Sequence, residues 1–285
     1  MAAPVRSSVT NATSTAGTRA TMWRMRIEHL RAAVMNPLTM PGMPAHVFLC
    51  HTDDGLVLVD TGFGTADVTD PGRRIGPVRG LLRPDLDDRH TVLRQLQERG
   101  HDATDVTHVV LTHLDLDHAG GLSDFPHATV HTTADEHAAA ITDPDALDKR
   151  RYRPAQFAHG PDFALHAGPG DEWRYGLTGH EVLPGIVLVP MPGHSRGHAA
   201  VAVETADGVV LHAGDAVFDG SHVADATPSG RRLTPVRAAR GFEMVVGRDR
   251  SRIRANHREL RRLASLPDVL VVPAHDPRIT DELVD

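Results

Sequence analysis

Cysteine is almost missing from this chain of 285 residues: Cys50 is the one example. It cannot close an internal disulfide, which fits a reducing cytoplasm. It sits in the apolar run Val47-Phe48-Leu49-Cys50 and reads as core rather than nucleophile. Aromatic residues are scarce at 4%, which removes most stacking platforms for single-stranded nucleic acid. Positive charge is in deficit, with a formal net charge of −7. A sequence-blind nucleic-acid binder would need a basic surface, so no nucleic-acid partner is expected. No apolar run approaches the length that spans a bilayer, so no membrane partner is expected either. Gly-x-Ser-x-Gly does not occur, and with it goes the usual serine-hydrolase turn.

Histidine is present in quantity, twenty in all. Most of them read as solvated or hydrogen-bonded structural residues. The stretch Thr112-His113-Leu114-Asp115-Leu116-Asp117-His118-Ala119-Gly120-Gly121 differs. Four of its side chains, His113, Asp115, Asp117 and His118, can bind a metal ion. The run before it, residues 106–111, is β-branched and apolar and reads as a strand. Two glycines close the stretch and permit a tight turn. A buried strand therefore ends in a loop that presents four donors to one place.

The pattern resembles the metallo-β-lactamase-fold hydrolases, whose signature is His-x-His-x-Asp-His. Here the motif reads His-x-Asp-x-Asp-His, with Asp115 where the second His is expected. Four further motifs follow the family's order. Leu58-Val59-Asp60-Thr61-Gly62 looks like the strand-turn with a supporting Asp. Pro192-Gly193-His194-Ser195-Arg196-Gly197-His198 looks like the third-histidine loop. Ala213-Gly214-Asp215-Ala216 looks like the bridging-aspartate turn, and Pro273-Ala274-His275-Asp276 like the last histidine. The resemblance spans roughly residues 45–277 and implies an α/β fold, the four-layer αβ/βα sandwich.

Carried over position by position, the resemblance implies one metal site of His113, Asp115 and His194. A second takes Asp117, His118 and His275, and Asp215 bridges the two. Two divalent metals are expected, zinc first, with manganese or iron as alternatives because added carboxylates suit harder ions. The expected nucleophile is a metal-bound hydroxide, oriented by Asp117 as the catalytic carboxylate. Asp60 would support a metal-bound His from behind, and His198 is not assigned to metal. For Asp115 two readings stand: its carboxylate binds the first metal, or it misses and leaves that site weak.

The function implied is cleavage of an ester, lactone or thioester in a small-molecule substrate. The Asp215 turn and the short chain look more like lactonases and glyoxalase-II-like thioesterases than β-lactamases. Tyr152 or Tyr175 could donate to a carbonyl oxygen, although no motif supports either. An iron-dependent sulfur dioxygenase of the same fold is the alternative, as is a binding protein that has lost efficient metal chemistry through Asp115. A nuclease fits the acidic chain worst.

The remaining sequence fills in the frame. Residues 1–20 are rich in Ser, Thr, Ala and Gly and read as a disordered leader, before a single domain over residues 21–285. Strands are expected at residues 23–30, 46–51, 56–59, 128–131, 186–189, 199–204, 209–212 and 269–272, the second and third joined by an Asp-Gly hairpin. Helices are expected over residues 88–99, 133–141 and 248–264. Residues 67–86 read as a long loop over the site. The basic run Arg150-Arg151-Tyr152-Arg153 reads either as a solvated turn or as a lid over an anionic or acyl substrate.

Overall fold

Strict alternation of side chains along the strands decides the architecture. The computed structural model describes residues 25–38, 40 and 42–284. The expected leader, the start of the strand at residues 23–30 and Pro41 lie outside the described residues. The first strands in chain order are β1 (Arg26–Met35), β2 (Met43–Thr52), β3 (Gly55–Val59), β4 (Pro84–Asp85), β5 (Val106–Val110) and β6 (Thr129–Thr133). They continue as β7 (Asp162–His166), β8 (Asp171–Glu172), β9 (Thr178–Leu183), β10 (Ile186–Pro190), β11 (Ala199–Thr205), β12 (Gly208–Gly214) and β13 (Val269–Pro273).

One sheet runs β4-β1-β2-β3-β5-β6-β7 and the other β13-β12-β11-β10-β9-β8. On β2, Phe48 and Cys50 join the core between the sheets, while Val47 and Leu49 face a helical layer. On β10, Ile186 and Leu188 face the same central core, while Val187 and Val189 face the opposite helical layer. A period of two thus gives every central strand two buried faces. The helix Val92–Glu98 covers the first sheet with Val92 and Leu96. The helix Arg250–Ala264 covers the second with Leu260 and Leu263. The result is the expected four-layer αβ/βα sandwich.

Two expectations need correction, and one helix is unanticipated. Residues 67–86 are not a loop but a series of short helical turns. Buried Arg74 holds them, donating to Asp67, to the Ala155 carbonyl and to the Gly120 carbonyl at 2.9, 2.8 and 2.7 Å. Helix breakers hid these turns because each lasts only about one turn, too short for periodicity to register. The helix expected over residues 248–264 starts at Arg250, since Asp249 caps it by accepting from the Ser251 and Arg252 amides. A further helix, Arg237–Val246, is not among those expected, although it is amphipathic and packs Ala239, Phe242 and Val246 on the core.

The carboxyl ends of β3, β5, β10, β12 and β13 point to one edge of the sandwich, and each feeds a motif loop. Gly214 at the end of β12 adopts φ +50°, and a Cβ there would meet His198 Nε2 at 2.7 Å and Thr112. Only glycine lets that turn close against β5.

Candidate metal centre

Four imidazoles point their Nε2 atoms into the edge of the sandwich, and in three of them, all but His194, the Nδ1 side is held by a hydrogen bond. His118 Nδ1 donates to Asp60 at 2.8 Å, and His275 Nδ1 donates to the Pro44 carbonyl at 2.6 Å. His113 Nδ1 lies 3.0 Å from the Thr112 hydroxyl. A hydrogen-bonded Nδ1 leaves the Nε2 lone pair free, the arrangement a metal ligand needs. Asp60 is the common anchor: it also accepts from the Thr112 amide at 2.8 Å, with its own backbone at φ 62°. Local strain of this kind persists only where several bonds fix it.

Two donor groups result. His113, Asp115, His194 and Asp215 form one, and Asp117, His118 and His275 form the other. Asp215 faces both. Its Oδ2 lies 3.0 Å from His194 Nε2, and its Oδ1 lies 2.9 Å from His275 Nε2 and 3.2 Å from His118 Nε2. In the first group Asp115 Oδ2 lies 3.3 Å from His113 Nε2 and 3.1 Å from His194 Nε2. In the second, Asp117 Oδ2 lies 3.7 and 3.5 Å from the two imidazoles. Donors about 2.0–2.2 Å from a tetrahedral zinc sit roughly 3.3–3.6 Å apart. Both groups fit such an ion. His113 Nε2 and Asp215 Oδ1 are also buried without a hydrogen-bond partner, which a metal would relieve.

Charge reinforces the fit. Burial would lower His118, but Asp215, Asp60 and Asp117 hold its imidazole well above its ordinary range. Burial would raise Asp215, but His275, His194 and His118 pull its carboxyl well below. Burial pushes His194 down to about 4, and the adjacent Arg151 adds to the shift.

All seven residues expected to bind metal therefore lie in one place, and His198 serves them without joining them. Its Nε2 accepts the Asp215 amide at 3.0 Å while Nδ1 donates to the Met191 carbonyl. Neither tyrosine lines the cleft over the site. Buried Tyr152 donates to Glu136 at 2.7 Å, and Tyr175 donates to Asp268 at 2.8 Å. The idea that either assists a carbonyl is corrected accordingly. Ser195 is likewise tied up, donating to Glu136 at 2.6 Å.

Three residues escaped the sequence reading. Glu136 reads as an acid favoured by a helix start, yet it is wholly buried and accepts four hydrogen bonds. Arg151 reads as one of a basic run, yet Nε and Nη2 grip Asp115 at 2.6 Å each. Glu243, on the Arg237–Val246 helix, accepts from the Phe218 amide and steadies the ring that packs on His194 and His275. Glu243 also forms a third donor group with His222 and His257. The adjoining pocket is lined by Arg240, Arg254, Arg258 and Arg261, whose positive charge opposes a cation there.

The model of the metallo-beta-lactamase superfamily matches residues 40–275. The chain belongs to that superfamily. Within it, a probable metallo-hydrolase of Mycobacterium tuberculosis is 43% identical over 259 residues, which is 89% of this chain and 81% of the relative. An N-acyl homoserine lactonase of Bacillus thuringiensis is 27% identical over 198 residues, covering 69% of this chain and 73% of the relative. A solved N-acyl homoserine lactone hydrolase, with N-hexanoyl-L-homoserine at its catalytic metal center, superposes at TM-score 0.66. It is 21% identical, and the match covers 89% of this chain and 93% of that one. As in other members of the superfamily, the His/Asp clusters imply a dinuclear site for divalent metal.

The superfamily site opens into a cleft of about 410 Å³. Its floor carries Asp115, Asp117, His194, Asp215 and His275; Met35, Leu82, Leu116, Phe218, Phe242 and Val246 give it an apolar wall, and Arg150, Arg151 and Arg248 also line it. Val78, Leu81 and Leu82 come from the turns at residues 67–86, so that segment does cover the site as expected. No helix among the described residues is long and apolar enough to cross a membrane.

Proposed function

We propose that the chain is a dinuclear metal-dependent hydrolase of an ester, lactone or thioester whose acyl group is apolar. The observation that carries this reading is the convergence of seven metal-binding side chains, five of them at the floor of a cleft with a largely apolar wall. Divalent ions held there, zinc first, would supply Lewis acidity and lower the pKa of water to about 7. Asp117 is the one donor in its group that is a carboxylate, and it is slightly exposed toward the cleft. It holds and orients the attacking water and takes up its proton. Phe218 lies over His194 and His275 and excludes bulk water from that side. The acyl group of the substrate lies along Leu116, Phe242 and Val246, so that the reacting carbonyl reaches the floor. The likeness to N-acyl homoserine lactonases supports the same placement. No tyrosine is among the residues that line the cleft; Lewis acidity at the carbonyl would come from the ions that the His/Asp groups hold.

The test is a substrate series with the metal-loaded enzyme: lactones, thioesters and aryl esters, each with acyl chains of increasing length. Each buried methylene is worth about 0.8 kcal/mol, roughly fourfold in affinity. KM should fall by about that factor per carbon until the cleft is filled. Asp117→Ala should abolish turnover with the fold kept. Rates indifferent to chain length, or turnover of phosphodiesters alone, would sink the proposal. Oxygen uptake with a persulfide in place of hydrolysis would favour the dioxygenase reading.

A further inference from the structure

Asp115 is the residue at which this donor set departs from a set built on imidazoles, and Arg151 accounts for the departure. The guanidinium sits at the end of the short helix Asp148–Arg151. Its Nε and Nη2 donate to the two oxygens of Asp115, both at 2.6 Å. Its Nη1 donates to the backbone carbonyls of His194 and Val246, at 2.9 and 3.0 Å. Nη2 also touches His194 Nε2. The side chain is largely buried, so its charge is poorly screened. Bidentate geometry of this kind fixes a carboxylate as well as neutralising it.

We propose that Asp115 and Arg151 together stand in for a neutral imidazole at the first metal site. Asp115 supplies one donor oxygen, Oδ2, which already lies 3.3 and 3.1 Å from His113 and His194 Nε2. Arg151 cancels its charge. The pair therefore contributes one ligand atom and no net charge, as an imidazole would. A metal that takes the His194 lone pair displaces one of the guanidinium's contacts and leaves its four donations to Asp115 and the two carbonyls. Arg151 is thus a positioning residue and not a ligand. It acts through Asp115 on how strongly the first site holds metal. A purely structural role, anchoring the helix to the His194 loop, would have no reason to choose a partner in the donor set.

The proposal rests on the dinuclear reading, and the experiment separates the two. Metal-depleted wild-type protein and three variants are titrated with zinc against a chelating dye, and bound zinc per chain is measured by elemental analysis. Asp115→His leaves the fixed guanidinium without its carboxylate beside the first ion. First-site affinity should fall at least tenfold while the His118 and His275 site is unchanged. Adding Arg151→Gln to Asp115→His should restore first-site affinity to within about threefold of wild type. Arg151→Gln alone removes positive charge beside a cation, so the first site should bind zinc severalfold more tightly. The retained second zinc and an unchanged far-ultraviolet spectrum show in each case that the fold persists.

Full affinity in Asp115→His, or failure of the double variant to regain the first zinc, overturns the proposal. A wild type that holds one zinc, with Arg151→Gln gaining a second, also overturns it, because the arginine would then replace the metal. A wild type that takes up no zinc at either group overturns the metal reading itself.

Discussion

One carboxylate, that of Glu136, joins the two loops that carry most of the site. It accepts from the Leu114 amide and Tyr152 hydroxyl on one oxygen, and from the Ser195 hydroxyl and Gly197 amide on the other. Glu136→Ala would orphan four buried donors at once. It should cost about 3–5 kcal/mol in urea unfolding and lower activity by displacing both loops. Ser195→Ala removes one of those bonds, so it should cost about 1 kcal/mol and leave activity within a few-fold. Inactivation by Ser195→Ala at full stability would instead point to a serine mechanism. Neither Glu136 nor Arg151 could be assigned from sequence. Their roles come from partners 16 to 61 and 36 to 95 positions away, and the local signals, a helix start and a basic run, have ordinary explanations. The metal-binding residues were legible because each sits in a short motif at a strand end.

Among the elements, the strands were the easiest to read. Alternation on β2, β3 and β10 is a property of consecutive residues, so the sequence carries it directly. The turns over residues 67–86 were hidden because distant partners hold them, with Arg74 donating to the Ala155 and Gly120 carbonyls. A feature of the parallel strands β5, β6 and β7 predicts a pH response. His108, His131 and His166 run diagonally across them, linked at 3.0 and 3.1 Å. Burial pushes His131 down to about 4, and its two imidazole neighbours add to the shift. Its unfolded value is about 6.5, so the unfolded chain binds the extra proton. Stability from this group is therefore full above about pH 6.5 and is lost as pH falls toward 4. His131→Gln should flatten that part of the curve in thermal melts between about pH 7 and pH 4.5. An unchanged acid slope would mean that the ladder is not the titrating element.

At the level of the whole molecule, the donor groups draw on both sheets. His113, Asp115, Asp117 and His118 follow β5 of the first, while His194, Asp215 and His275 follow β10, β12 and β13 of the second. Metal bound among them would fasten the two halves of the sandwich at one edge. A ligand that binds only the folded state at a hundredfold excess over its Kd stabilises it by about 2.7 kcal/mol. The decisive measurement is metal per chain, made by elemental analysis on the purified enzyme before and after chelation, with lactone hydrolysis and the melting temperature followed on the same samples. The account predicts two divalent ions per chain. Their removal should lower the melting temperature by several degrees and abolish hydrolysis, and adding zinc or manganese back should restore both. A chain that holds no metal as purified and takes none up, or that hydrolyses the lactone equally well after chelation, would contradict it.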